Sequence, residues 1–259
     1  MPAHDLPLLL GAARAASASA LGHAGPAARR WDKPGGAGPV TEADIEVDRL
    51  LRARLMAARP SYGWLSEETE DSDARLHRRR VFIVDPIDGT RSFIDGAADW
   101  AHALAVAEDG QVTAAVILLP MRDLTYAAAR GHGATLNGAP IRTSDRSALS
   151  GASVLAARPA LEPRRWRGGA VPAVVRSLRA SLAWRLALVA EGRYDAILTL
   201  RPTWEWDIAA GALILSEAGA LATDRHGAAL RFNSPDPRLD GVLAANPALH
   251  ARLLAALSG

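Results

Sequence analysis

The chain of 259 residues contains no cysteine, so disulfides, a thiolate nucleophile and cysteine-ligated metals are all excluded. Its seven histidines show neither His-x-x-x-His nor His-x-His spacing, which argues against zinc. Any bound metal should therefore have oxygen ligands. A chain without cysteine suits a reducing compartment, so we expect a cytoplasmic protein, with peripheral attachment to a membrane left open.

A strong charge of one sign is also lacking. The 30 Lys and Arg residues nearly balance the 28 Asp and Glu residues, and the formal net charge is +2. Because no sustained basic face is present, we do not expect a nucleic-acid polymer as a partner. The composition, with 49% hydrophobic and 22% charged residues, is typical of a soluble globular protein.

Long apolar runs are missing too. The apolar stretch from Leu6 to Ala20 is interrupted by Arg14 and is too short to span a bilayer. It also follows Asp5, whereas a secretory signal begins with basic residues. We therefore predict a first helix over residues 5–23 and no membrane-spanning segment.

Turn and capping signals divide the rest of the chain. After a glycine- and proline-rich loop, residues 26–39, Thr41 to Asp44 form a capping-box pattern that opens a helix ended by Pro60. Asp109-Gly110 predicts a hairpin between two apolar runs. In the second half, helical and strand patterns alternate, which indicates an α/β unit. This predicts helices over residues 181–191, 208–218 and 247–257, and strands over 195–200 and 241–246. We expect an N-terminal α+β half, residues 1–143, and a C-terminal α/β half, residues 144–259.

The segment from residue 81 to residue 90 carries the strongest chemical signal. Residues 81–84 are β-branched or aromatic and predict a buried strand, which should end at Asp85-Pro86. Asp88 can fold back so that both carboxylates and the Ile87 carbonyl face one point. Gly89-Thr90 adds closely approaching N–H groups and a hydroxyl. Such donors suit a hard cation that carries a phosphate, and the alternative is an Asp-rich turn without a ligand.

Other acidic residues lie elsewhere in the sequence. Glu67-Glu68 precedes the predicted strand, Asp44 opens the second helix, and Asp207 stands at the start of a later helix. Each also has a structural explanation, since Asp44 and Asp207 could be helix caps and Glu67 a solvated loop residue.

These segments, in this order, resemble the inositol monophosphatase superfamily of magnesium-dependent, lithium-sensitive phosphatases. The family pattern has an acidic pair, then Asp-Pro-(Ile/Leu)-Asp-Gly-Thr, then Trp-Asp-x-Ala-Ala-Gly. It matches Glu67-Glu68, residues 85–90 and residues 206–211, and residues 40–44 match its Val-Thr-x-x-Asp segment. The resemblance implies an α/β (α+β) fold, a layered α-β-α-β-α sandwich with the active site between its halves.

The resemblance also implies roles for individual residues. Two or three Mg²⁺ ions per site would be held by Glu67, Asp85, the carbonyl of Ile87, Asp88 and Asp207. Catalytic residues would be Glu67 and Thr90, with Asp44 holding the Thr90 hydroxyl. Phosphate would also contact Asp88, Asp207 and the N–H groups of Gly89 and Thr90. Lys33, the only lysine of the chain, lies where the family often has a basic loop residue, although the following Pro34-Gly35-Gly36 departs from the common pattern.

The leaving group of the phosphate ester is less well determined by the sequence. Residues 202–207 resemble the Pro-Thr-x-Glu-Trp-Asp segment of 3′(2′),5′-bisphosphate nucleotidases, and Arg185 and Arg158 could bind a second phosphate. Leu200 stands about where inositol phosphatases have a sugar-binding glutamate. Residues 133–138 and Ser181, in contrast, look more like inositol phosphatases.

We therefore expect a small phosphate ester as the substrate, with adenosine 3′,5′-bisphosphate favoured, in sulfur assimilation. The alternative is inositol 1-phosphate or a relaxed range of sugar phosphates, and a minor alternative is a non-catalytic binding protein. The family is often dimeric, which leaves a homodimer open.

Overall fold

The computed structural model describes residues 4–36 and 38–258. Residues 1–3, 37 and 259, at the ends of the two predicted halves and in the predicted loop, lie outside the described residues. The helices are α1 (Leu6–Ala20), α2 (Glu42–Ala58), α3 (Thr90–Ile94), α4 (Leu182–Ala190), α5 (Glu205–Glu217) and α6 (Pro247–Ala256). The first nine strands are β1 (Arg30–Asp32), β2 (Pro39–Thr41), β3 (Gly63–Ser66), β4 (Arg80–Asp88), β5 (Ala101–Glu108), β6 (Gln111–Leu119), β7 (Leu124–Ala129), β8 (Ala134–Leu136) and β9 (Ala139–Pro140). The others are β10 (Ser153–Ala156), β11 (Val175–Ser177), β12 (Ala196–Thr199), β13 (Thr203–Trp204), β14 (Leu221–Thr223), β15 (Arg238–Leu239) and β16 (Val242–Ala245).

The larger sheet has seven strands in the order β3-β4-β5-β6-β7-β8-β9. Only the β3–β4 pair is parallel, and the rest form an antiparallel meander. Because side chains alternate along a strand, β4 sends Phe82 and Val84 to one face and Val81 and Ile83 to the other. The first pair packs under α1 and α2, and the second packs in the core that contains α4 and α5.

The smaller sheet has the order β11-β10-β12-β16-β14 and combines parallel and antiparallel pairs. One face, with Leu155 and Ile197, joins the core of α4 and α5, and the other, with Val154 and Leu198, packs against α6. The layers are therefore α1/α2, larger sheet, α4/α5, smaller sheet and α6. This confirms the predicted α-β-α-β-α sandwich, while the division of the chain at residue 143 stays a prediction.

The strand that carries Asp85 is longer than the sequence predicted. It does not end at Asp85-Pro86 but continues to Asp88, with a shift of register between Asp85 and Asp88. The prediction of a strand end was wrong because a bulge accommodates the proline, whose missing N–H would interrupt a regular ladder. The two aspartates thus belong to one bulged strand.

Several local predictions are confirmed. Thr41 caps α2 through a capping box with Asp44. Asp109 and Gly110 both have positive φ in the β5–β6 turn, as such a hairpin requires. Two differences concern the site: α5 begins at Glu205, earlier than predicted, and the predicted loop 26–39 contains β1, which pairs with β2 in a small hairpin.

Candidate active site

Three carboxylates that are far apart in the sequence lie close together in the fold. Asp85 stands at the bulge of β4, Asp88 at the end of that strand, and Asp207 in the first turn of α5. One carboxylate oxygen from each lies within 4.8 Å of the others. Asp85 and Asp88 are buried, with only 1% and 7% of their surface exposed. The fold therefore forms an acidic cluster between the larger sheet and helix α5.

The electrostatics of the cluster disfavour its ionised form without a cation. Burial raises the pKa of Asp85 well above its usual value, and the charges of Glu67, Asp88 and Asp207 raise it further. Burial, Asp88 and Glu67 likewise raise the pKa of Asp207. The Oδ1 atom of Asp85 is buried without a hydrogen-bond partner. Converging carboxylates with an unpartnered oxygen fit a hard divalent cation, which prefers oxygen ligands and would offset the repulsion.

Asp88 is fixed by the start of helix α4. Its Oδ2 accepts hydrogen bonds of 2.6 Å from Ser181 Oγ and 2.6 Å from the Ala183 N–H. Ser181 also caps α4, since its hydroxyl accepts a bond of 2.9 Å from the Trp184 N–H. Burial raises the pKa of Asp88, and these donors oppose the rise. Helix α4 thus holds one side of the Asp88 carboxylate.

A second group of polar atoms surrounds the start of helix α3. The Thr90 hydroxyl lies 3.2 Å from the Ile87 carbonyl and 3.4 Å from Asp44 Oδ1. Asp44 Oδ2 accepts a bond of 2.8 Å from the Thr41 N–H. Burial raises the pKa of Asp44 to about 6, although the bonds from Thr41 oppose this. The predicted Thr90–Asp44 contact is therefore present at hydrogen-bond distance.

The turn before Thr90 depends on a glycine. Gly89 has a φ of 96°, and a Cβ at this position would lie 2.9 Å from the Asp99 carbonyl oxygen. Any other residue would be strained and crowded here. This allows Asp88 and Thr90 to lie close together at the same corner.

The acidic pair before β4 shares the single lysine as its counterion. Lys33 Nζ lies 2.7 Å from Glu67 Oε1 and 2.6 Å from Glu68 Oε1. Burial acts to lower the pKa of Lys33, but Glu67 and Glu68 raise it above its usual value overall. Burial, together with the charge of Glu67, raises the pKa of Glu68 to about 7. The hairpin loop that carries Lys33 thus reaches the acidic site.

Sequence reasoning missed a network that supports Glu67. The buried Asp48 of α2 accepts bonds of 2.5 Å from Ser66 Oγ and 2.6 Å from Thr69 Oγ1, on either side of the acidic pair. Thr69 in turn accepts from Trp64 Nε1 at 3.1 Å. Asp48 lies one helical turn after Asp44, so the two acidic residues share a face of α2. That spacing was the available signal in the sequence.

A cavity of about 270 Å³ contains a group of arginines. Arg185 and Arg201 line it, and both oppose the raised pKa of Asp207, so their charges reach the acidic cluster. Two buried polar atoms of its lining, Thr199 Oγ1 and Arg165 Nε, have no hydrogen-bond partner. The described lining residues include no acidic side chain and four arginines, namely Arg165, Arg179, Arg185 and Arg201.

Arg185 and Arg158, the two residues predicted to bind a second phosphate, lie in different surroundings. Arg185 lines the cavity, with its Nε 3.2 Å from the Ser181 carbonyl. Arg158 is exposed and is not among the described lining residues, although its neighbours Ala157 and Pro159 are. Leu200 lines the cavity, and Arg201 beside it was not anticipated because nothing in a lone arginine indicates its surroundings.

Comparison with known proteins agrees with this geometry. A family model described as the inositol monophosphatase family matches residues 6–259. The chain belongs to the inositol monophosphatase family. It is 39% identical over 197 residues to an inositol-1-monophosphatase of Rhizobium meliloti (strain 1021), covering 73% of each chain. It is 34% identical over 232 residues to a 3′-phosphoadenosine 5′-phosphate phosphatase of Mycobacterium bovis, covering 83% of this chain and 80% of that one.

A solved structure shows the same fold. The extragenic suppressor protein SuhB of Bartonella henselae superposes with a TM-score of 0.81 at 29% identity, covering 96% of each chain. Membership makes this chain one of a family of Mg²⁺-dependent phosphatases, and its acidic cluster could hold a metal ion. Within residues 4–36 and 38–258, no helix is long and apolar enough to cross a membrane.

Proposed function

We propose that the protein is a Mg²⁺-dependent phosphatase that removes the 3′-phosphate of adenosine 3′,5′-bisphosphate. The observation that carries the choice of substrate is the cavity with four arginines beside the acidic cluster. Such an activity would place the protein in sulfur assimilation. A homodimer and a cytoplasmic location stay predictions.

The metal ligands in this proposal are those implied by the family resemblance. Asp85, Asp88 and Asp207, with Glu67 and the Ile87 carbonyl, offer only oxygen atoms, as Mg²⁺ requires. We propose that they hold two or three ions. Bound Mg²⁺ supplies a water of lowered pKa and positive charge against the phosphate oxygens.

The protein's own residues would orient the reacting groups. The Thr90 hydroxyl, held at the Ile87 carbonyl and Asp44, would orient the attacking water together with Glu67. The N–H groups of Gly89 and Thr90 would donate to phosphate oxygens. Asp44 would keep the Thr90 oxygen in place rather than contact the substrate.

The arginine cavity would bind the second phosphate. Arg185 and Arg201 lie within charge reach of Asp207, so an anion bound between them would stand next to the metal ligands. Burial lowers the pKa of Arg185, although Asp88 and Asp207 act to raise it. A bound phosphate would stabilise the charged form of such a buried arginine, because its oxygens accept charge-assisted hydrogen bonds.

Hydrolysis of inositol 1-phosphate is the second candidate. The 39% identical relative of Rhizobium meliloti is named as an inositol-1-monophosphatase, and residues 133–138 and Ser181 resemble that branch. The cavity argues against inositol 1-phosphate as the substrate. The hydroxyls of an inositol ring need hydrogen-bond acceptors, and neither Leu200 nor the arginines of the lining have a side-chain acceptor.

The decisive experiment compares phosphate release from the two substrates at equal concentration with Mg²⁺. We expect a higher kcat/KM for adenosine 3′,5′-bisphosphate by at least about tenfold, since one charged hydrogen bond contributes roughly 1.5–3 kcal/mol. A preference for inositol 1-phosphate would overturn the substrate and keep the metal site. No release from either would favour another ester or a non-catalytic binding protein.

A further inference from the structure

His102 lies opposite the bulge that carries the acidic cluster. Strand β4 advances three residues from Asp85 to Asp88, while the paired strand β5 goes back two, from Ala103 to Ala101. The residue of β5 between those two partners is His102. Its Nδ1 contacts the carbonyl oxygen of Pro86 within the bulge.

His102 approaches the bulge from behind the site. It shares a face of β5 with Leu104 and Val106, which pack in the core under α1 and α2. Asp85 shares a face of β4 with Val81 and Ile83, which belong to the core of α4 and α5. His102 is completely buried and therefore cannot meet a substrate that reaches the acidic cluster.

The proton of the His102 ring can be assigned from its surroundings. Burial lowers the pKa of His102 to about 4, although the Pro86 contact acts to raise it, so the ring is neutral at pH 7. A carbonyl oxygen only accepts hydrogen bonds, so the proton stands on Nδ1. Nε2 is then the unprotonated nitrogen, and it is buried without a partner. The Trp100 and His102 rings pack in a T-shaped arrangement, with ring centroids 5.5 Å apart.

Two consecutive carbonyls of the bulge are thus held by side-chain donors. His102 donates to Pro86 from one face, and the Thr90 hydroxyl lies 3.2 Å from the carbonyl of Ile87. These two bonds fix the Pro86–Ile87 and Ile87–Asp88 peptide planes. The direction of those planes determines where the two carboxylates and the Ile87 carbonyl point.

We propose that His102 is a positioning residue that sets the geometry of the metal ligands by holding the Pro86 carbonyl. The inference rests on the metal site of the proposed function. It assigns His102 no contact with metal or substrate. Groups that bond directly to metal ligands commonly alter affinity by about 10–100-fold when they are removed, and His102 bonds Pro86, which lies between the ligands Asp85 and Ile87.

Two substitutions of similar shape separate positioning from packing. His102→Leu removes the donor, whereas His102→Asn keeps an amide N–H close to the place of Nδ1. Calorimetric titration of the metal-free protein with Mg²⁺ should show affinity at least about tenfold weaker for His102→Leu. His102→Asn should stay within about threefold of the wild-type value. His250→Leu is the matched control, because His250 is also buried and bonds Thr223 at 2.9 Å, far along the chain from the bulge.

The outcomes distinguish the two proposals. Equal Mg²⁺ affinity for His102→Leu and wild type overturns the positioning role, even if the melting temperature falls. The positioning role is also overturned if His102→Asn binds Mg²⁺ as weakly as His102→Leu. If His102→Leu is insoluble, His102→Val gives the donor-free comparison. Wild-type protein that binds no Mg²⁺ overturns the metal site itself, and the inference with it.

Discussion

Lys33 Nζ and Glu67 Oε1 lie 2.7 Å apart, which joins the only lysine of the chain to a proposed metal ligand. The same ammonium lies 2.6 Å from Glu68 Oε1. Both side chains of the Lys33–Glu67 pair are largely buried, so water screens their attraction only in part. In this arrangement the Lys33 ammonium is bound to the Glu67 carboxylate, which a metal ion would need as a ligand.

Lys33→Gln should therefore bind Mg²⁺ more tightly and fold less stably without it. Removing one positive charge from the site should strengthen Mg²⁺ binding by about 3–10-fold, since the ammonium no longer competes for Glu67. The metal-free melting temperature should fall by about 2–4 °C as the two glutamates lose their counterion. Calorimetry and thermal melts measure both. Arg29→Gln, which removes an exposed partner of Glu42, should change neither. Weaker Mg²⁺ binding by Lys33→Gln would contradict this account.

The metal-free protein should lose stability as the pH rises from 6.5 to about 8. The pKa of Glu68 is raised to about 7, and those of Asp85 and Asp207 well above their usual values, mainly by burial. The folded state thus holds these protons more tightly than the unfolded chain, and the stability they give disappears as the carboxylates ionise. Below pH 6.5, His102 has the opposite effect on stability. Its pKa is about 4 in the folded state and higher in the unfolded chain, so the unfolded chain binds this proton more tightly and stability falls as the pH drops.

Thermal melts with a chelator and with saturating Mg²⁺ test this dependence. We expect a falling melting temperature with the chelator and a flatter profile with Mg²⁺, since the cation offsets the charges. A metal-free melting temperature that rises between pH 6.5 and about 8 would argue against the raised pKa values.

Asp85→Asn and Asp207→Asn should each abolish turnover and leave the fold intact. Loss of one carboxylate should lower kcat/KM by about a hundredfold or more. Removing a group that only supports a metal ligand already costs up to about a hundredfold, and removing the ligand itself should cost at least as much. The metal-free protein should melt at the same or a higher temperature, because one repelling charge is gone. Asp236→Asn, on the surface beside Arg238, is the control and should keep full activity. Activity retained in either site variant would refute the ligand assignment.

Arg185→Ala and Arg201→Ala should impair the bisphosphate selectively. Each should raise KM for adenosine 3′,5′-bisphosphate by about tenfold or more, since a charged hydrogen bond contributes roughly 1.5–3 kcal/mol. The KM for inositol 1-phosphate should change by less than about threefold. Arg158→Ala should have a smaller effect, because that side chain is exposed outside the cavity lining. Equal losses on both substrates would mean that the cavity does not bind a second phosphate.

Gly211→Ala should destabilise the protein through helix packing. A Cβ on Gly211 would lie 2.5 Å from both Cβ and Cδ1 of Leu186, where α4 and α5 cross. We expect a loss of about 1–3 kcal/mol in the free energy of unfolding, as in other overpacked cores. Gly11→Ala in α1 is the matched control, since nothing lies within 4 Å of its Cβ, and it should stabilise by about 0.5–1 kcal/mol. Denaturant unfolding measures both, and adding Leu186→Ala should restore part of the loss.

Local sequence signals were sufficient where neighbouring residues decide the structure. The capping box at Thr41 and the Asp109-Gly110 turn both depend on residues within four positions of each other, and both are present. The resemblance of the acidic motifs led to the family, and with it to the order of layers. The extent of β4 was misjudged because a bulge is determined by the partner strand, which the local sequence does not identify.

The sequence by itself determined the type of donor, since a chain without cysteine and with scattered histidines leaves oxygen ligands, and its resemblance to a family singled out Asp85, Asp88 and Asp207. The tertiary structure decided what surrounds them. Lys33 reaches Glu67, Arg201 enters the cavity, and His102 meets Pro86 only because distant segments pack together. Charge, burial and hydrogen bonding at a site depend on distances in space, and separation along the chain does not specify those distances once helices and sheets have packed.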